Sequence, residues 1–255
     1  MISIKIQSIP NKAPGWFCLS TKLEHLTVLT WAVEPARLRR HIPEIFSLER
    51  VSLDGEEFAL ISAVTFLNTA AHLKRLPTPG LRFGQTNYRV YVRQGGQRAV
   101  YFLGTTIDSW SVIVPNIVWK MPWTRGKYQF QVQRQGRTYS ALKVEASGQW
   151  GMAFAIEDLG EGIEVLKGFE QTDEGLQVLT QPHIGFYPRG GGKLGRYTIW
   201  HDFYKPKLGK LIEARFDLLS EFDLVPFSEQ NKPHSVIIEP TVSYEIHLPP
   251  MRWTP

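Results

Sequence analysis

The sequence predicts a predominantly antiparallel β protein of the α+β class, folded as one domain over residues 1–255. Runs of β-branched and aromatic residues recur along the chain, as strands require. Glycine-containing turn pairs separate several of these runs: Asp54-Gly55, Gly95-Gly96 and Gln135-Gly136. Within one run, Asn87, Arg89, Tyr91 and Arg93 recur at every second residue, whereas Tyr88, Val90 and Val92 occupy the alternate positions. An extended chain puts these two sets on opposite faces, one polar and one apolar.

Taken in order, residues 24–33 read as a buried strand, because EHLTVLTWAV is dense in apolar and β-branched side chains. Glu34-Pro35 opens a short helix with Leu38 and Ile42 four apart, and Pro43 ends it. Residues 45–53 and 57–67 form a hairpin across Asp54-Gly55. Residues 67–82 lose periodicity and gather Pro77, Pro79 and Gly80, which predicts a long surface excursion. Residues 98–106 pair back on the 87–93 strand through Gly95-Gly96. Ser109 or Ser111 can cap the helix that follows, with Pro115 either near its start or kinking it, and the helix ends at Trp119-Lys120-Met121-Pro122-Trp123.

Residues 127–133 and 137–145 make another hairpin, and 149–156 continue as a strand. The acidic segment 157–170 carries Ile163, Leu166 and Phe169 at helical spacing and predicts a short amphipathic helix. Residues 176–187, 197–204 and 211–218 read as strands. Residues 220–231 are polar with apolar anchors, and 235–248 close the chain as a long strand interrupted at Pro240.

Composition narrows the function classes. Hydrophobic residues at 43% and aromatics at 12% supply a generous core, so disorder is not expected. The single cysteine, Cys18, excludes an intramolecular disulfide and a cysteine-rich zinc site. The N-terminus lacks the apolar run of a secretory signal, and no window has the length of a membrane span; a cytoplasmic protein without membrane partners is expected. The net charge of +5 invites a nucleic-acid reading, but the basic residues are scattered and 157–174 is acidic, so no nucleic-acid partner is expected.

The motifs point the same way. Residues 190–195 (GGGKLG) satisfy GxGxxG, yet a strand follows where a phosphate site needs a helix N-terminus, so a hairpin loop is expected. Leu194 after Lys193 excludes a P-loop. The seven histidines form no HxH or HExxH pair, so no metal site is written locally. His201-Asp202 is the best histidine candidate, although neighbours in a strand point to opposite faces. No GxSxG elbow occurs. Lys120 and Lys127 flank the Pro122 turn; an amine buried among Trp119, Met121 and Trp123 would suit Schiff-base chemistry, and a solvated helix-end lysine is the alternative.

The run LEHLTVLTWAVEPARLRRHIPEIFSLE, the TNYRVYVR strand, the Trp119-Lys120-Met121-Pro122-Trp123 helix end and the closing VSYEIHLPP together resemble the acetoacetate decarboxylase-like superfamily, and within it the domain of unknown function numbered 2071. The resemblance extends from about residue 23 to 250 and implies a cone-like β-barrel with flanking helices and an internal ligand cavity. The decarboxylases carry paired lysines directly after the proline of this helix end, the first forming a Schiff base. Here Trp123-Thr124 stands in that place. The carboxylate those enzymes carry after the first hairpin falls near Ala59, and the arginine of their opening strand near Glu24.

The fold and cavity therefore carry over, without a catalytic residue or cofactor. The expected function is binding of a small anionic or carbonyl-bearing organic molecule, with Arg89 as charge anchor, Asn87 and Tyr91 as hydrogen-bonding groups, and Trp119 and Trp123 as walls. The alternative assignment leaves the polar face of 87–93 as a solvated edge. The alternative activity is a lyase acting on a keto acid or other carbonyl compound through Lys120 or Lys127. Barrels of this type associate, so a homo-oligomer is also compatible with the resemblance.

Overall fold

Several strands in this protein are buried on both faces, and that decides the architecture. The computed structural model describes residues 17–75, 80–160, 165–202 and 204–254. Strand β1 (Phe17–Val33) is followed by helix α1 (Pro35–Arg39), with Pro35 in its first turn and Leu38 fully buried. Short strands β2 (Ser47–Leu48) and β3 (Arg50–Leu53) precede β4 (Glu56–Leu73). Asp54 and Gly55 turn the β3–β4 hairpin with φ of 53° and 86°, the two positive values that a type I′ turn needs. β5 (Leu81–Gln94) and β6 (Gln97–Ile107) join through Gly95-Gly96, with φ of 54° and 81°.

A single 3₁₀ turn (Trp110–Val112), capped by Ser109 Oγ accepting the Ser111 N–H at 3.1 Å, leads into α2 (Ile113–Trp119). Then come β7 (Trp123–Gln135), β8 (Thr138–Gly148), β9 (Met152–Asp158), α3 (Thr172–Thr180), β10 (Ile184–Pro188) and β11 (Leu194–His201). β12 (Lys207–Phe216), α4 (Asp217–Glu221), β13 (Ser235–Leu248) and β14 (Met251–Trp253) complete the order.

The mostly antiparallel α+β character is as expected, but the cone-like barrel is not. The strands form one fourteen-stranded sheet, ordered β14-β11-β10-β6-β7-β8-β9-β12-β13-β1-β4-β5-β2, with β3 beside β4. It is a branched sheet with outer strands at β14 and β2, and not a simple closed barrel. β6 pairs with β5, with β7 in parallel and with β10 in parallel; β13 pairs with β1, β11 and β12. The physical reason lies in β1, β4 and β5. A single barrel interior would bury one face of each strand, whereas these strands serve a separate core on either side. Leu29, Trp31, Tyr88 and Val90 face one core with Val144, Phe154 and Phe216; Val28, Val64, Tyr91 and Phe102 face the other with Leu179. That is why β1 and β4 read as nearly continuous apolar runs.

Several other expectations are corrected. The excursion expected over residues 67–82 is shortened at both ends: β4 continues to Leu73 through a register shift between Asn68 and Ala71, with Ala70 at φ 55°, and β5 opens at Leu81, while residues 76–79 lie outside the described residues. Within the segment 157–170, where a helix was expected, the described residues 157–158 end β9 and 159–160 and 165–170 are not helical, while Ile163 lies outside the described residues; the helix that follows is α3. Consequently the 176–187 run is split, its first part helical and only Ile184–Pro188 extended. β13 is not broken at Pro240. The proline sits between the pairs Glu24–Thr241 and Leu26–Glu239, opposite His25, whose φ of 55° marks a bulge in β1. A bulge is where a strand tolerates a residue without an N–H. Gly190, Gly191 and Gly192, all at positive φ, make the expected β10–β11 hairpin loop, with Pro188 paired to Leu194.

Candidate functional site

Alternation along β5 aligns Leu81, Phe83, Gln85, Asn87 and Arg89 on the wall of a cavity of about 340 Å³. Leu23 and Leu26 of β1, Val64, Phe66 and Asn68 of β4 and Phe102 of β6 complete the sheet side. Pro115 and Trp119 of α2, with Met121 and Trp123 beyond it, close the opposite side, and Tyr197 and Tyr244 add phenol rings. The sheet supplies this surface because its second core is incompletely filled where β5 faces α2.

Arg89 is the sole charged side chain among the described residues lining the cavity. It is buried, at 5% exposure. Its Nη2 donates to the Leu179 carbonyl and its Nε to the Tyr91 hydroxyl at 3.3 Å, while the guanidinium lies 5.4 Å from the Tyr91 ring centroid. Among the described residues no carboxylate lies within ion-pair distance of it. Other buried ions on the sheet are paired: Glu49 with Arg93 and Arg98, and Glu239 with Arg137.

Tyr91 does not line the cavity. It sits behind Arg89, accepting a hydrogen bond from Ser62 at 2.7 Å and donating to the Leu179 carbonyl at 3.3 Å, and Ser62 meets Thr30 at 2.7 Å. It therefore positions the guanidinium. Arg93, on the same face in sequence, is held outside by two hydrogen bonds to Glu49.

Asn87 does face the cavity. Its Oδ1 accepts from Gln85 Nε2 at 2.9 Å and from Thr105 Oγ1 at 3.0 Å, so its acceptor is satisfied by the wall. Its amide N–H groups make no bond to a described residue and remain as donors. Gln85 in turn accepts from Asn68 at 3.2 Å, which extends the polar wall.

The two lysines lie elsewhere. α2 ends where Lys120 takes a left-handed conformation, φ 56° and ψ 37°, and its N–H and that of Met121 both turn back to the Pro115 carbonyl. This geometry sends Trp119 and Trp123 to the cavity and leaves Lys120 exposed. Lys127 is also exposed on β7, and neither lines the cavity.

Behind the tyrosines, His201 is fully buried and stacks on Tyr244 at 4.7 Å between centroids and on His183 at 5.4 Å. Its Nδ1 bonds the Asp202 backbone carbonyl at 2.8 Å, so the neighbouring carboxylate is not used, and its Nε2 has no partner among the described residues. Burial first, with the nearby His183 and Arg89 adding, pulls its pKa down to about 4. Burial likewise raises the pKa of Tyr197, Tyr204 and Tyr244, keeping these phenols protonated. Among the described residues no cluster of three His, Cys, Asp or Glu side chains could hold a metal ion.

Sequence reasoning missed Asn68, Tyr197, Tyr244 and the Leu179 carbonyl. Extending the period-two pattern upstream from Asn87 would have found Gln85 and Phe83; no local signal points to the others.

This geometry defines an acetoacetate-decarboxylase-type fold enclosing an apolar cavity with one buried cation. The chain superposes on acetoacetate decarboxylase from Legionella pneumophila with a TM-score of 0.60 at 11% identity, covering 92% of this chain and 87% of that one. An acetoacetate decarboxylase-like enzyme from Sphingomonas wittichii gives 0.58 at 11% identity, with 92% of each chain covered. The enduracididine biosynthesis enzyme MppR complexed with pyruvate gives 0.57 at 12% identity, covering 92% and 89%. These likenesses are of fold. A search of curated proteins finds no match. Residues 20–243 match the family DUF2071, described as an uncharacterized conserved protein, and the chain belongs to that family.

Proposed function

We propose that the protein binds a small organic anion in this cavity, with Arg89 as the counter-charge. The observation that carries the reading is a buried guanidinium, aimed into an apolar cavity, that has no carboxylate partner among the described residues. An isolated charge removed from water is penalised by several kcal/mol, and a ligand carboxylate relieves that penalty through charge-assisted hydrogen bonds. Asn87 offers its amide donors to a second oxygen of the ligand, Tyr91 holds the guanidinium, and Trp119 and Trp123 exclude water. Support also comes from the names of similar folds, one an acetoacetate decarboxylase and one complexed with pyruvate.

The reading is binding without a Schiff base, because no lysine is among the described residues that line the cavity. Calorimetric titration with butanoate and pyruvate tests it, run on the wild type and on Arg89→Gln. Binding that is weakened about ten- to a hundredfold in the variant is the expected result; equal affinity for both proteins would remove Arg89 from the site.

A further inference from the structure

The shape of the cavity says more about the ligand than its charge does. On β5 alone, lining residues run from Arg89 to Leu81, eight residues apart, which spans about 26 Å at ~3.3 Å per residue. A volume of about 340 Å³ drawn out over that length is a narrow channel and not a round chamber. Its ends differ. Arg89 is 5% exposed and Leu81 is 41% exposed, so the cation is deep and the mouth apolar. Asn87 is the lining residue next to Arg89 along β5, and Gln85 follows, with Phe66 as its partner on β4; from there to the mouth Phe83, Leu81, Ala71 and Leu73 offer hydrocarbon surface. A two- to four-carbon acid held at Arg89 would leave most of this surface facing water.

Resting on the reading of Arg89 as an anion anchor, we infer that the ligand is a monocarboxylic acid with an extended hydrocarbon tail, bound head-first. Its carboxylate meets Arg89, and the tail lies along β5 toward Leu81. Apolar burial then adds to the charge interaction in proportion to tail length.

The test is calorimetric titration of the full wild-type chain with butanoate, hexanoate, octanoate and octan-1-ol at equal ionic strength. Affinity should rise about fourfold with each added methylene, and octanoate should bind more tightly than octan-1-ol. If butanoate binds and octanoate binds no better, the tail assignment fails while the Arg89 anchor stands. Octan-1-ol matching octanoate would overturn the anchor and, with it, the head-first orientation. Absence of binding by every compound would overturn both. All arms use the unmodified protein, so none depends on a variant folding.

Discussion

Arg89 reaches across ninety positions of sequence to hydrogen-bond the carbonyl of Leu179, in α3, and finds no carboxylate among the described residues. A main-chain carbonyl fixes the orientation of a guanidinium without neutralising it. The remaining charge is available to a ligand. Arg89→Gln should therefore weaken carboxylate binding about ten- to a hundredfold, the equivalent of losing ~1.5–3 kcal/mol from one charged hydrogen bond. Titration calorimetry measures the ratio directly.

Lys120 and Lys127 are exposed and stand apart from the cavity lining. Incubation with pyruvate and borohydride should add no mass to either residue, as peptide mass spectrometry will determine. A reduced adduct on Lys120 or Lys127 would restore Schiff-base chemistry to consideration.

Lys120 also occupies a left-handed position, φ 56°, that glycine adopts without steric penalty. Lys120→Gly should stabilise the fold by about 0.5–1 kcal/mol in urea denaturation, with carboxylate affinity unchanged. A drop in affinity would mean that the lysine reaches the ligand.

Gly104 in β6 lies beneath Trp150; an added Cβ would stand 2.4 Å from Cζ3 of the indole. Trp150 is itself packed edge-on to Tyr88 at 6.4 Å. Gly104→Ala should cost roughly 1–3 kcal/mol through overpacking, read as a lowered urea midpoint with an unchanged slope.

Acid should destabilise the protein in a defined window. His201 has its pKa pulled down to about 4 in the folded state, chiefly by burial, whereas an unfolded histidine titrates near ~6.5. Between these values the unfolded chain binds the additional proton, so stability is full above about pH 6.5 and falls toward pH 4. The loss from this residue is on the order of 3 kcal/mol at the lower end. Burial also lowers the pKa values of His25, His183 and His234, which act in the same direction. Urea denaturation across pH 7 to 4 should show a shallower slope for His201→Phe than for the wild type.

The local features were legible in the chain. Asp54-Gly55 and Gly95-Gly96 turn as expected because positive φ at both central residues is a property of the turn residues themselves. The alternation of Asn87 and Arg89 put both side chains on one face of β5 because side-chain direction in a strand has period two. Ser109 caps the turn before α2 for an equally local reason. α3 was hidden because Leu176, Val178 and Leu179 fit a strand or a helix over so short a span.

Other features depended on pairing between distant segments. Nothing around Tyr91 indicates that its hydroxyl will serve Arg89 and Ser62, or that Leu179 will supply the carbonyl beneath the guanidinium. The burial of β1 and β4 on both faces was written in their apolar runs; that this creates a branched sheet with two cores emerged only when β6 and β13 each took three neighbours. Propensity, turn chemistry and alternation act within a few residues, so the order of amino acids specified the strands, their turns and the polar face of β5. Which face closes on a cavity, and which cation is left there without a carboxylate, are set by contacts made across the whole chain.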